Sequence, residues 1–259
     1  MEDQFKSSIF NIKLSEGFNL FIKSYTNKFS KDLLLIIPDI GETAFLYDNI
    51  IKNFFLKNFS IIIFDLPGHG NTEGKRGNFF AINIYREIID KILSLFDIKN
   101  GIHVFVSGLS SPFFLNVLYE KIDNLWIRSI FISGFTFFYN YKFFLNLLFT
   151  SIIKFHSNCH LYPYIFDKIQ DKNKFKKFLT TNEIIVYCSY RLIFNFLISI
   201  KKALNNIYKK PIPLFIASGN KQEAFLVKDN ALNKFRTKKR LPLKIYIFDG
   251  GHSIQFTNN

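Results

Sequence analysis

The chain has 259 residues, 48% hydrophobic and 21% charged, the size and balance of one compact domain with a sizeable core, which excludes a disordered chain. Its 34 Lys and Arg against 20 Asp and Glu give a formal net charge of +14, a balance that raises nucleic-acid or anionic-membrane binding as function classes. The basic residues are dispersed and mostly Lys, however. Their densest runs, 168–177 and 228–240, are interrupted by apolar or acidic residues as solvated helix faces are, and with no helix-turn-helix, zinc-finger or RNA-binding signature nucleic acid is not an expected partner.

In chain order, short apolar runs read as strands at Phe18–Ile22, Leu33–Ile37, Ile61–Phe64, His103–Val106 and Ser129–Ile132. Between the third and fourth, Phe80, Ile84, Ile88, Ile92 and Phe96 recur every four residues and predict a helix. A second helix is expected from about Pro112 to Lys121. After Ile132 the alternation stops, and residues 135–208, rich in Phe and Leu, read as an inserted helical cap. Pro211-Ile-Pro213 then leads into strands at Pro213–Ala217 and Lys244–Phe248. Strands alternating with helices predict an α/β fold with a mostly parallel sheet, its core formed by residues 1–134 and 209–259.

Cys159 and Cys188 are too few for a disulfide framework and lack a metal-type spacing. The amino terminus shows no signal peptide. The most hydrophobic stretch, Phe143–Ile153, is flanked by Lys142 and Lys154 and falls well short of the ~20 residues of a spanning helix. A cytoplasmic setting is the expectation.

Chemistry concentrates after three strands. Asp65-Leu-Pro67-Gly68-His69-Gly70-Asn71-Thr72-Glu73-Gly74-Lys75-Arg76-Gly77 follows the third strand, and its four glycines require a tightly turning loop at a strand's carboxyl end, where open α/β sheets place their sites. The spacing is neither a P-loop nor a dinucleotide fingerprint. This run resembles the loop of α/β-hydrolases of the monoacylglycerol lipase and bacterial lysophospholipase group. The resemblance extends over residues 18–134 and 210–256 and implies the α/β-hydrolase fold with a serine nucleophile.

Under that resemblance, Ser107-Gly108-Leu109-Ser110-Ser111-Pro112 occupies the place of the nucleophile elbow, with Ser110 the aligned nucleophile. Taken alone, the same serines read equally as a helix N-cap. His252, behind Asp249-Gly-Gly, aligns with the catalytic base. The sequence departs from the pattern at three places. Pro38-Asp39 replaces a His-Gly pair, although Glu42 and Tyr47 are retained. The oxyanion amides are then expected from Ile40 and Ser111, with the Asp39 carboxylate opposing the negative charge that develops there. Pro112 replaces the last elbow glycine and biases Ser111 away from helical backbone. Gln222 takes the place of the acid, with Glu223 one residue on as its substitute.

The resemblance implies a hydrolase of lipid-like carboxylic esters, of lysophospholipase or monoacylglycerol lipase type, needing no metal or organic cofactor. Phe137, Phe138, Phe143, Phe144, Leu147 and Leu148 in the cap suit an acyl chain. Neighbouring lysines add attraction to an anionic membrane surface, about 1 kcal/mol each. The three departures motivate a different reading, a catalytically impaired homologue that binds lipid or a partner. Head-group preference, chain length and oligomeric state are not encoded in any motif.

Overall fold

Every expected strand is present in the computed structural model, which describes residues 5–77, 82–96, 101–120, 127–134, 158–160, 187–209, 212–219 and 243–248. They run Asn19–Asn27 (β2), Asp32–Ile37 (β3), Phe59–Phe64 (β4), Ile102–Ser107 (β5), Ile127–Ser133 (β6), Leu214–Gly219 (β9) and Leu243–Phe248 (β10). Three more were not anticipated: the edge strand β1 (Phe5–Lys13) and a short pair, β7 (Asn158–His160) with β8 (Tyr187–Ser189). In that antiparallel pair Cys159 stands opposite Cys188. The main sheet has the order β1-β2-β4-β3-β5-β6-β9-β10. β1 and β2 are antiparallel to their neighbours, and all pairings from β4 to β10 are parallel.

The central strands are apolar without alternation because both faces are covered. On one face Leu33, Leu35, Ile37, Ile62, Phe64, Val104 and Val106 share a core with the helices α2 (Ile82–Ser94), α3 (Ser110–Glu120) and α4 (Tyr190–Lys209). On the other, Leu34, Ile36, Ile61, Ile63 and Phe105 pack with α1 (Asp48–Phe55), which follows a 3₁₀ turn at Ala44–Tyr47. β3 therefore leads to a helix on one face while its neighbour β5 leads to a helix on the other. That reversal is the topological switch point of the sheet, where a crevice opens beyond the carboxyl ends of the strands.

The predicted periodic helix is α2, whose buried face carries Ile84, Ile88 and Ile92. α3 is buried on all sides except at Glu120 because it lies between the sheet, α2 and α4. Asn116 on α3 donates to the Ser199 carbonyl at 3.2 Å and accepts from Asn206 at 3.2 Å. Glu120 joins Arg86 of α2 at 2.7 Å and Lys202 of α4 at 2.6 Å. Most of α4 belongs by sequence to the expected insertion, yet Leu192, Phe196, Ile200, Ala203 and Ile207 lie in the same core as the sheet. Of the rest of that insertion, only β7 and β8 are described. Among the described residues no helix is long and apolar enough to cross a membrane.

Candidate active site

Ser110 stands where β5 ends and α3 begins, separated from the strand by Gly108 and Leu109. Gly108 holds φ at +45°, a left-handed conformation that glycine adopts at little cost. Its N–H donates to the Ser133 carbonyl at 2.8 Å, tying the turn to β6. Ser111, not Ser110, closes the start of the helix: its hydroxyl donates to the Gly108 carbonyl at 2.6 Å and its N–H to the same oxygen at 3.1 Å. Pro112 is accommodated in the first turn, where a missing N–H costs nothing. Ser110 is 1% exposed, and among the described residues its Oγ has no hydrogen-bond partner. A buried hydroxyl left unpaired costs about 1–3 kcal/mol; the Thr43 and Tyr119 hydroxyls share this state.

The loop after β3 faces this turn across the switch point. Asp39 is fully buried, and its Oδ1 accepts the N–H of Ile40 at 2.7 Å and of Ser110 at 3.2 Å. Its other oxygen lies against Gly108, where an added Cβ would collide with the carboxylate. The arrangement differs from the sequence expectation for the oxyanion site. Ile40 N–H is already engaged by a carboxylate, and Ser111 N–H is engaged by the first turn of α3. The physical cause is that Asp39 stands beside a residue without a side chain and folds into the space left there.

Behind Asp39 lies a buried polar layer. The Asp39 N–H is shared between Tyr47 Oη at 3.1 Å and Glu42 Oε2 at 3.3 Å, and the Tyr47 hydroxyl donates to Glu42 at 2.5 Å. Burial, followed by the charges of Glu42 and Asp39, pushes the Tyr47 hydroxyl well above its ordinary range, so it remains a donor. Gly41 N–H donates to His69 Nε2 at 3.0 Å, and His69 Nδ1 lies 2.9 Å from the Pro67 carbonyl. These contacts fix the tautomer with its proton on Nδ1. Burial lowers the His69 pKa to about 4, so the ring is neutral.

The glycine-rich loop that carries the family resemblance is a structural buckle. Asp65 accepts Ala44 N–H at 2.6 Å and Asn71 N–H at 2.9 Å, and desolvation raises its pKa against those bonds. Thr72 Oγ1 accepts Phe21 N–H at 2.9 Å and donates to the Asp65 carbonyl at 2.8 Å. Glu73 accepts both the backbone and side-chain N–H of Asn19. The far end reaches β8, where Ser189 N–H donates to the Gly77 carbonyl at 2.9 Å.

The structure thus brings Ser110, Ser111 and Ile40 together at the switch point and adds Asp39 to them. His252, Gln222, Glu223 and the apolar run 137–153 lie outside the described residues. Among the described residues no cluster of His, Cys, Asp and Glu is arranged to hold a metal.

A family model described as serine aminopeptidase, S33, matches residues 29–237. Among solved structures, a monoglyceride lipase from Saccharomyces cerevisiae bound to a substrate analog superposes with a TM-score of 0.75 at 19% identity, over 95% of this chain and 88% of that one. A monoacylglycerol lipase from Paleococcus ferrophilus gives 0.67 at 16% identity, covering 91% of each chain. A carboxyl esterase from Bacillus coagulans in complex with glycerol gives 0.71 at 14% identity, over 96% of this chain and 91% of the other. No curated protein matches by sequence.

Proposed function

The chain belongs to the α/β-hydrolase family described as serine aminopeptidase, S33, and from that premise we propose that it is a serine hydrolase of lipid-like carboxylic esters. Lysophospholipids and monoacylglycerols are the substrate types we favour. The observation that carries this reading is the Ser110 hydroxyl, buried and unpaired at a strand-turn-helix junction. Ser110 Oγ attacks the ester carbonyl while its proton passes to His252. The tetrahedral adduct collapses, and the alcohol leaves with the proton from His252. Water, deprotonated by His252, then attacks the acyl carbon, breaks its bond to Oγ and releases the carboxylic acid.

Glu223 or Gln222 orients His252 in this scheme. An amide holds the ring but does not stabilise its charged form; the comparable acid-to-amide change in a serine protease costs about 10⁴-fold in turnover. The Phe-rich stretch of residues 135–153 supports an acyl chain as the bound group in the same proposal. The lipases among the structural neighbours support the same substrate class. Dispersed lysines support peripheral contact with an anionic membrane from the cytoplasm.

A second reading has its own observation. Asp39 places a carboxylate oxygen on the Ile40 amide, and together with Gln222 this favours an impaired homologue that retains lipid or partner binding. Incubation with monooleoylglycerol and with lysophosphatidylcholine, following release of fatty acid, separates the two. The hydrolase reading expects release that S110A abolishes. Saturable binding of either lipid without release supports the second reading.

A further inference from the structure

We propose that Asp39 is a positioning and specificity-determining residue whose carboxylate takes the Ile40 N–H, one of the two expected oxyanion donors, and so slows attack of Ser110 on esters. This inference rests on the reading of Ser110 as the nucleophile. One oxygen, Asp39 Oδ1, collects the N–H of its neighbour Ile40 at 2.7 Å and that of Ser110, 71 residues from Asp39, at 3.2 Å. The first of these, Ile40, is one of the two amides expected to stabilise a tetrahedral oxyanion beside the nucleophile. Here the anion is supplied by the chain.

The placement is fixed from every side that is described. Gly108 has no side chain to displace the carboxylate, and a Cβ there would collide with it. Glu42 and Tyr47 hold the Asp39 N–H, and Asp39 is fully buried. A substrate oxyanion forming at the Ile40 amide would meet a like charge in the space it must occupy. Asp39 therefore selects against the acyl-transfer transition state, and a smaller residue opens the position.

The test uses the full chain as wild type, D39N, D39S and D39G, each checked for a native melting transition. In ¹⁵N-labelled protein, loss of the carboxylate charge moves the Ile40 and Ser110 amide protons upfield in all three variants. Sodium acetate then returns both resonances saturably in D39G and D39S, whereas wild type and D39N, which keep an oxygen in place, do not respond. Failure of the two amides to move in the isosteric D39N overturns the proposal, even where the smaller variants do not fold. So does an equal acetate response in wild type.

The second readout is labelling of Ser110 by a fluorophosphonate. One oxyanion donor is worth about 10²–10³ in rate, so D39G and D39S are expected to label at least about tenfold faster than wild type, while D39N stays within about threefold. Equal rates across the series overturn the proposal. An acetate response in D39G with no labelling in any variant leaves the Asp39 assignment standing and refutes the hydrolase reading instead.

Discussion

Lowering the pH tests the role of His69 and, through it, the architecture of the loop after β3. His69 is neutral because burial depresses its pKa from 6.5 to about 4, and its Nε2 is the acceptor for Gly41 N–H. In the unfolded chain the ring binds a proton at its ordinary pKa of about 6.5. Between those two values the unfolded state holds more protons than the folded one, so stability is fully present above about pH 6.5 and declines as the pH falls toward 4. With these two pKa values the loss between pH 7 and pH 5 is about 2 kcal/mol. Urea denaturation of wild type and H69Q at both pH values isolates the effect, since other titrating groups contribute alike to the two proteins. The stability difference between them is expected to change by about 2 kcal/mol, with wild type losing more on acidification. Parallel losses, agreeing within about 0.5 kcal/mol, would refute the assignment of a buried neutral His69.

Other changes follow from the same contacts. D65A strands the buried N–H of Ala44 and removes the acceptor of the Asn71 N–H, and should cost about 1–3 kcal/mol by urea denaturation; a cost below about 0.5 kcal/mol would mean the loop is not held through Asp65. G108A forces a Cβ into left-handed backbone and into the Asp39 carboxylate, so its melting temperature should fall well below that of wild type, with a loss of more than about 2 kcal/mol. F196A empties a fully buried site between α3 and α4 and should cost about 3–5 kcal/mol. S110A removes an unpaired buried hydroxyl and should raise stability by about 1 kcal/mol while abolishing activity. A destabilised S110A would show that Ser110 serves the fold instead.

The parallel part of the sheet was legible because strands covered on both faces are apolar throughout, and Leu33–Ile37 and Ile61–Phe64 stand out from their surroundings. β1 escaped because it is an edge strand, with Lys6, Ser7 and Ser8 in its first half and Ile9 exposed to solvent at 65%. β7 and β8 have three residues each, too few to establish an alternation. The packing of α4 on the sheet's core was not legible for a related reason. α4 is amphipathic, and no local feature tells whether its apolar stripe faces a cap or the main core; contacts with α3 decide it.

At the site, Ser110 was legible from the order strand, glycine turn, helix. Which serine closes the start of the helix was not, because either hydroxyl could do so, and the choice rests on which one reaches the Gly108 carbonyl. The presence of Asp39 near the site was visible as a departure from the family pattern. Its seat on the Ile40 and Ser110 amides was not, since it requires a side-chain rotamer and the empty space beside Gly108 to coincide across 71 residues.

Nucleophilicity of Ser110 is the claim on which the functional reading depends. Its most direct measurement is intact and peptide mass spectrometry of the wild type, D39G and S110A proteins after exposure to a fluorophosphonate. A single phosphonyl adduct on the peptide containing Ser110, faster in D39G than in wild type and absent in S110A, is the predicted result. An adduct that persists in S110A, or no adduct on a folded D39G protein, would contradict it.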